Sequence, residues 1–518
     1  MKSCLPCSGS FPLFLMKSYF RQRVLLVSWV LAYLSLTACF CPPKMQVVPN
    51  PDIERKSGTH AQPEEGRIIE VYLDGTRNKW DSRTNVRRRF EMVAATEDPT
   101  QQCLYVDGVG NQSPAAAALG LGMKCRILES YKFLSKHWQP GMRIRIFGFS
   151  RGAFQARALA GLMAHCGLPT GEMDDSTRAK IAEEMFKYSE NSLRDCDSME
   201  ASAWHKCLAE NRGKAAAHIR EKFGDGVAFA NPDIEFMGLW DTVPGLVLKK
   251  KDLQGVGDLK DGGGTRYKVR PYPNIRLIAH ALSLDEDRNA FTPLLVGGPL
   301  DPARTTVHEV WFPGVHCDIG GGYEDSNDMA GVTFNWMHRI LYEKQVVKRR
   351  SVVYADATSL MHRESNPFYD WFRGRRHRVM PTGSAIDKTV FIRTRGGAYP
   401  QQESHGFQNK TYTPTLLVRN KDGSGVESIT VVPTRDPAEL LKGMLVLNDS
   451  DAAASSQKKA HTILSPENMQ FLPQKSEPEK PKSTSGLESL LPAPILKSQA
   501  ESEDKPGEET GTKKESGM

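Results

Sequence analysis

Several features that would settle a function class at once are missing from this sequence. Past Cys39 no pair of cysteines has the C-x-x-C spacing of a zinc site, and no helical H-E-x-x-H motif occurs anywhere. No nucleic-acid recognition motif is present. Of the formal charge of +7, four positive charges belong to Lys2, Lys17, Arg21 and Arg23 in residues 1–38, which hold no acid; the remainder carries only +3. A surplus that small excludes an argument for DNA or RNA as partner. There are no internal repeats. The longest apolar run, Val24 to Leu36, is too short to span a bilayer comfortably.

That run has another use. Lys17, Arg21 and Arg23 precede it, and Leu36-Thr37-Ala38-Cys39 follows it. A basic segment, a short apolar segment and small residues before a cleavage point make a secretory signal. Cysteine directly after Leu-Thr-Ala resembles a bacterial lipoprotein signal, with Cys39 acylated as the first mature residue. The alternatives are an uncleaved anchor or an ordinary signal peptide, and Met16 is a candidate start. Phe40 after Cys39, where inner-membrane lipoproteins often carry Asp, gives the periplasmic face of the outer membrane as the expected location. In an oxidising compartment Cys196 and Cys207 are close enough along the chain to close a short disulfide loop.

The expected organisation is a signal over 1–38, a tether over 39–65, a catalytic region over 66–345, an accessory region over 346–450 and a tail over 451–518. Ser, Lys, Glu, Pro and Gly dominate the tail, which buries too little apolar surface to offset its ordering entropy. In the catalytic region five apolar, β-branched runs each end in a polar residue: Ile68–Leu73 at Asp74, Ile144–Phe149 at Ser150, Ile234–Leu239 near Asp241, Ile275–Leu284 at Asp285, and Val307–Val315 at His316. Near-continuous apolar strands separated by helical stretches indicate a mostly parallel sheet covered by helices on both faces. Such α/β sheets gather reactive residues at the carboxyl ends of their strands. Helices are expected at Ala115–Lys136, Ala153–Met163 and Thr177–Phe223, the last as a lid or a solvated insertion. Short strands are expected at Thr389–Ile392, Thr415–Val418 and Ile429–Val432.

Gly148-Phe149-Ser150-Arg151-Gly152 carries the strongest chemical signal. It fits G-x-S-x-G between a strand and a helix, the turn that projects a nucleophilic serine above an α/β-hydrolase sheet. Gly148 and Gly152 relieve crowding, and the Arg151 N–H at the helix start is placed to hold an oxyanion. A serine nucleophile needs a base and an orienting acid. Downstream, Asp241 is the candidate acid and His316 the candidate base; His280 and His362 are rival bases, Asp285 and Asp318 rival acids. Gly75 or Thr76 N–H, in the loop after the first strand, is a candidate second oxyanion donor. Asp74 reads either as a helix cap or a brace for the elbow, or as a direct participant in catalysis. Cys317 reads as a buried, inert thiol in preference to a second nucleophile, since no second elbow surrounds it. Lys249, Lys250 and Lys251, beside Leu246-Val247-Leu248, read as a solvated face or as a dock for anionic lipid headgroups, and the runs at Arg87–Arg89 and Arg373–Arg378 read as solvated charge.

Taken in order, YLDGTRN (72–78), GFSRGAFQARALAGL (148–162), LWDTV (239–243), AHALSLDEDR (279–288) and WFPGVHCDIGGGY (311–323) resemble the catalytic domain of type VI secretion phospholipase effectors, the first Tle class. The resemblance covers about residues 66–370. It implies an α/β-hydrolase fold, hydrolysis of phospholipid esters without a cofactor, and Ser150, Asp241 and His316 as the matching triad. Cys317 stands where the family commonly has Ser. Family effectors are delivered by a secretion machine, whereas this chain reads as exporting and anchoring itself. Envelope lipid remodelling therefore stands beside an effector role, and any immunity or secretion partner is unspecified. Two other classes remain: a metal-assisted hydrolase using Asp74, Asp241, His316 and Asp318, and a non-catalytic lipoprotein that binds lipid or protein on a hydrolase scaffold.

Overall fold

The computed structural model describes residues 45–48, 67–94, 100–110, 122–193, 196, 201–244, 267–298, 301–348, 350–363, 374–395, 397–403, 406–420, 425–431 and 445–447. All of these belong to one compact unit, Met1–Ser465; the other unit, Pro466–Met518, lies outside the described residues. So do the expected signal, Cys39, the lysines at 249–251 and the tail over 451–518. Among the described residues no helix is long and apolar enough to cross a membrane.

A nine-stranded sheet forms the frame. Its strands, in chain order, are β1 (Met45–Val48), β2 (Ile68–Leu73), β3 (Gln101–Val106), β4 (Arg143–Phe149), β7 (Ile234–Trp240), β8 (Ile275–Ser283), β9 (Thr306–Phe312), β11 (Ala385–Asp387) and β16 (Leu445–Leu447). In space they run β1-β3-β2-β4-β7-β8-β9-β11-β16, and only the β1–β3 pair is antiparallel. Strand β1 falls inside the segment expected to be a featureless tether. The sheet also does not stop at the expected catalytic boundary, since β11 and β16 extend its far edge from the region expected to be accessory.

Alternation along each strand divides the core into two layers. Ile69, Val71, Leu73, Ile144, Ile146, Met237 and Leu239 face α2 (Met123–His137) and α3 (Arg151–Cys166). Tyr72, Phe147, Phe149, Phe236 and Trp240 face α1 (Asn85–Ala94) and α7 (Asp328–Glu343). The result is a parallel sheet covered on both faces, the α/β-hydrolase arrangement expected from the strand texture.

The stretch expected as one helix over Thr177–Phe223 is two, α4 (Asp175–Asn191) and α5 (Ala201–Phe223). Asp174 caps the first by accepting from Thr177 N at 2.9 Å. A disulfide joins Cys196 to Cys207. Ile181, Met185, Phe186, Ala215 and Ile219 put both helices into the first core layer, so the pair is packed structure. Beyond β9 come the one-turn helix α6 (His316–Gly320) and then α7. The expected strand at Thr389–Ile392 is instead the helix α8 (Thr389–Arg395). Asp387 explains the change, because its carboxylate accepts from Thr389 N at 2.9 Å and nucleates a helical turn where β-branched residues suggested a strand. Two separate strand pairs are β5 (Leu168–Thr170) with β6 (Ala228–Ala230) and β12 (Ala398–Glu403) with β13 (Gly406–Thr411). Strand β10 (Val379–Pro381) pairs with β14 (Thr415–Arg419), and β14 with β15 (Val426–Thr430). This small sheet packs through Met380, Leu416 and Val418 onto Leu282, Leu284 and Trp311 of β8, β9 and the loop after β8.

Candidate active site

Ser150 sits where β4 turns into α3, with φ 58° and ψ −123°, a conformation that costs a non-glycine residue of order 1–3 kcal/mol. The surroundings impose it. Ser150 N donates to Trp240 O at 2.9 Å, and Ser150 O accepts from Phe154 N at 3.2 Å and from Val243 N at 3.3 Å. The two flanking glycines are required by close approach. A Cβ on Gly152 would lie 2.0 Å from Leu73 O, and one on Gly148 would lie 2.6 Å from Ala153 N. Ser150 is therefore held on a tight, strained elbow, with Arg151 as the first residue of α3.

Asp241 follows the neighbouring strand β7 and also has positive φ, 43°. Its backbone N donates to Ala281 O at 2.8 Å, tying it to β8. Its carboxylate is fully buried and has no unused side. Oδ1 accepts from Ser283 N at 3.0 Å and Arg378 Nη1 at 2.6 Å; Oδ2 accepts from Arg378 Nη2 at 2.9 Å and pairs with His316 Nδ1 at 2.5 Å. Burial alone would raise its pKa, but the Arg378 cation and the His316 hydrogen bond outweigh it and hold the carboxyl well below the usual range. Asp241 is thus an acceptor throughout, which gives His316 the tautomer with the proton on Nδ1 and leaves Nε2 as the basic nitrogen.

His316 lies four residues beyond the end of β9, at the start of α6 rather than at the strand end itself. Its ring packs 4.7 Å from the Phe149 ring, next door to Ser150, and 5.0 Å edge-on from Phe291. Its backbone N donates to Glu286 Oε2 at 3.3 Å, and Glu286 is itself clamped by Arg288. Cys317, beside it, is half-buried and takes no part in the disulfide, where the sequence suggested a buried thiol.

The remaining candidates are drawn into bracing. Asp74 accepts from Gly75 N at 2.7 Å, Thr84 Oγ1 at 2.7 Å, Tyr105 Oη at 2.7 Å and Asn78 Nδ2 at 3.3 Å. Burial pushes its pKa up to about 6 despite these donors. It fixes the loop after β2, and it occupies the Gly75 N–H that was the candidate second oxyanion donor. Asp285 accepts from Gly314 N at 2.6 Å and Tyr412 Oη at 2.8 Å; burial raises its pKa to about 6. Asp318 accepts from Val315 N at 3.0 Å and pairs with His362 Nδ1 at 2.7 Å. His362 also meets Asp325 through Nε2 at 3.0 Å; burial lowers its pKa, but the two carboxylates outweigh that and raise it. His280 joins Glu309 at 2.8 Å and accepts from Thr242 N at 3.1 Å. Both rival imidazoles therefore have carboxylate partners away from the elbow. Among the described residues no three His, Cys, Asp or Glu side chains form a group able to hold a metal ion, so the four ligands of the metal-assisted reading are not assembled.

Arg378, paired with Asp241, is the residue of the candidate site that the sequence did not point to. It read as one of a run of solvated charges, and nothing local signals its partner 137 residues away. Ser283 and Glu286 were present in a quoted motif without a role assigned to either.

Residues 67–340 match the family of the T6SS phospholipase effector Tle1-like catalytic domain. An uncharacterized protein of Saccharomyces cerevisiae is 27% identical over 250 residues, spanning 44% of this chain and 32% of that protein, so the chain covers about a third of this relative's length. Among solved structures, the Tle1 effector bound to the VgrG spike of the type 6 secretion system is 16% identical, with a TM-score of 0.24, over 55% of this chain and 58% of that one. Propionate-bound esterase 2 of Thermogutta terrifontis is 15% identical, with a TM-score of 0.28, over 60% of this chain and 93% of that one. The family match spans more than half the sequence and takes in Ser150, Asp241 and His316, and by that match the chain belongs to the Tle1-like phospholipase effector catalytic domain family.

Proposed function

We propose that the protein hydrolyses acyl esters of membrane phospholipids, with Ser150 as nucleophile, His316 as general base and Asp241 as the orienting acid. The observation that carries the reading is a serine on a strained strand-to-helix elbow beside a buried His316–Asp241 hydrogen bond of 2.5 Å. Family membership supplies the substrate class.

Ser150 Oγ attacks the ester carbonyl carbon while His316 Nε2 takes its proton. The Arg151 N–H, at the positive end of α3, stabilises the tetrahedral oxyanion. With Gly75 N–H engaged by Asp74, Thr76 N–H is the remaining donor in that loop for the second hydrogen bond. Collapse of the intermediate expels the alcohol, which takes the proton from Nε2 and leaves an acyl-serine. Water, deprotonated by the same nitrogen, then releases the fatty acid. No step requires a cofactor.

The second part of the proposal concerns location. The lipoprotein-type signal ending at Cys39 assigns the enzyme to the cell envelope, lipid-anchored with its catalytic unit at a bilayer surface. The Cys196–Cys207 disulfide is in keeping with an oxidising compartment.

The test is fatty-acid release from phosphatidylethanolamine and phosphatidylglycerol vesicles by the purified protein beside Ser150→Ala. Release is expected to fall at least about 10³-fold in the variant. Full activity in Ser150→Ala sinks the assignment. A folded wild type with no activity on any ester returns the lead to a lipid- or protein-binding lipoprotein.

A further inference from the structure

Asp241, Asp285 and Asp318 hold His316 and the two residues before it, and each is bound from beyond residue 345. Asp241 is clamped by Arg378, Asp285 by Tyr412 and Asp318 by His362. Asp241 touches the imidazole, Asp285 holds Gly314 N, and Asp318 holds Val315 N, one residue before the base. The small sheet of β10, β14 and β15 brings two of these three contacts to the site. Arg378 directly precedes β10, and Tyr412 lies three residues before β14.

Arg378 is the sharpest of the three contacts. Its two terminal nitrogens bridge both oxygens of Asp241, and each has a second anchor: Nη1 donates to Ser283 O at 2.8 Å and Nη2 to Phe291 O at 2.6 Å. Arg378 is 6% exposed, so solvent does little to screen its charge. A bidentate, doubly anchored arginine fixes the rotation of the carboxylate, and hence the direction in which the imidazole is held. It also compensates charge. A bare aspartate favours imidazolium, whereas one already paired with a cation favours it less.

We infer that Arg378 is a positioning residue for the Ser150–His316–Asp241 chemistry, and that the segment carrying His362, Arg378 and Tyr412 is a clasp that sets the catalytic base. The inference rests on the triad reading of the proposed function. The charged groups facing the His316–Asp241 pair are Arg378, from the clasp, and Glu286 with Arg288, from the loop after β8; Phe149 and Phe291 provide the apolar walls.

The experiment compares full-length wild type, Arg378→Gln, Arg378→Lys and Ser150→Ala on p-nitrophenyl butyrate across pH, with thermal unfolding to establish that each is folded. In Arg378→Gln, kcat is expected to fall about 10²-fold with KM changed less than about threefold. Its acid limb is expected to move up by about one pH unit, because the uncompensated carboxylate then favours imidazolium. Arg378→Lys should return the limb to its wild-type position while kcat stays at least about tenfold down, since an ammonium cannot bridge both oxygens. A folded Arg378→Gln with wild-type kcat and an unmoved limb overturns the inference. If Arg378→Gln does not fold, Arg378→Lys decides: the stated pattern supports the clamp, and wild-type kcat overturns it. Failure of the triad reading shows separately, as an inactive wild type or a fully active Ser150→Ala. In that event the low-field Nδ1–H proton resonance that disappears in His316→Ala is read instead. Its displacement in Arg378→Gln or Arg378→Lys supports the clamp, and an unchanged resonance overturns it.

Discussion

At the scale of single residues, the site is a set of buried carboxylates that differ in what surrounds them. Asp241 has a cation and an imidazole and stays ionised; Asp74 and Asp285 are held by hydroxyls and backbone N–H groups, and burial raises both to about 6. The difference has a thermodynamic consequence of definite sign. Between about pH 4 and 6 the folded Asp74 carboxyl keeps a proton that the unfolded chain has already lost, so stability falls as pH rises through that window. For Asp74 alone the loss is worth about 3 kcal/mol. Asp74→Asn is therefore expected to make the slope of Tm against pH more positive over that range than in the wild type. An unchanged slope in the variant contradicts the account of Asp74 as a buried, protonatable brace. At this scale the sequence was informative about residue types at strand ends and silent about partners. Ser150, Asp241 and His316 each follow an apolar run that announces its position. Arg378 follows a cluster of basic residues whose ordinary meaning is solvated surface, and only tertiary packing gives it a carboxylate.

At the scale of elements, the elbow depends on how closely α3 approaches β2. The added Cβ of Gly152→Ala would meet two backbone carbonyl oxygens, Leu73 O at 2.0 Å and Asp74 O at 2.6 Å, and neither can swing aside. We expect a loss of about 3 kcal/mol or more, measured by the denaturant midpoint. Gly213, on an exposed turn of α5 with nothing within 4 Å of its added Cβ, supplies the contrast. Gly213→Ala is expected to stabilise by about 0.5–1 kcal/mol, as alanine does in a helix interior. Equal effects at the two glycines would contradict the close-approach argument. The elements were legible where periodicity was strong, as in β2, β4, β7, β8 and the helix after the elbow. They were not where a side chain decides between states. Asp387 converts a β-branched run into α8, and the break between α4 and α5 is marked only by the Asn, Ser and Asp residues of 191–198 around Cys196, a turn signal hidden within a long charged helical stretch.

At the scale of the whole molecule, the family match ends at residue 340, but the constellation around His316 does not. Strands β11 and β16 continue the main sheet, while β10, β14 and β15 bring the clasp to the candidate base. The segment read from sequence as an accessory region thus continues the main sheet and packs beside the candidate site. Parallel sheets make this possible, because residues far apart in the chain meet at one edge, and composition carries no trace of that meeting. The central claim is that Ser150 is an activated nucleophile. Its most direct test is reaction of the purified protein with a fluorophosphonate, followed by mass mapping of the labelled peptide. The account predicts a single adduct on Ser150 that vanishes in Ser150→Ala and is strongly slowed in His316→Ala. Labelling at another serine, or none in a folded protein, contradicts it.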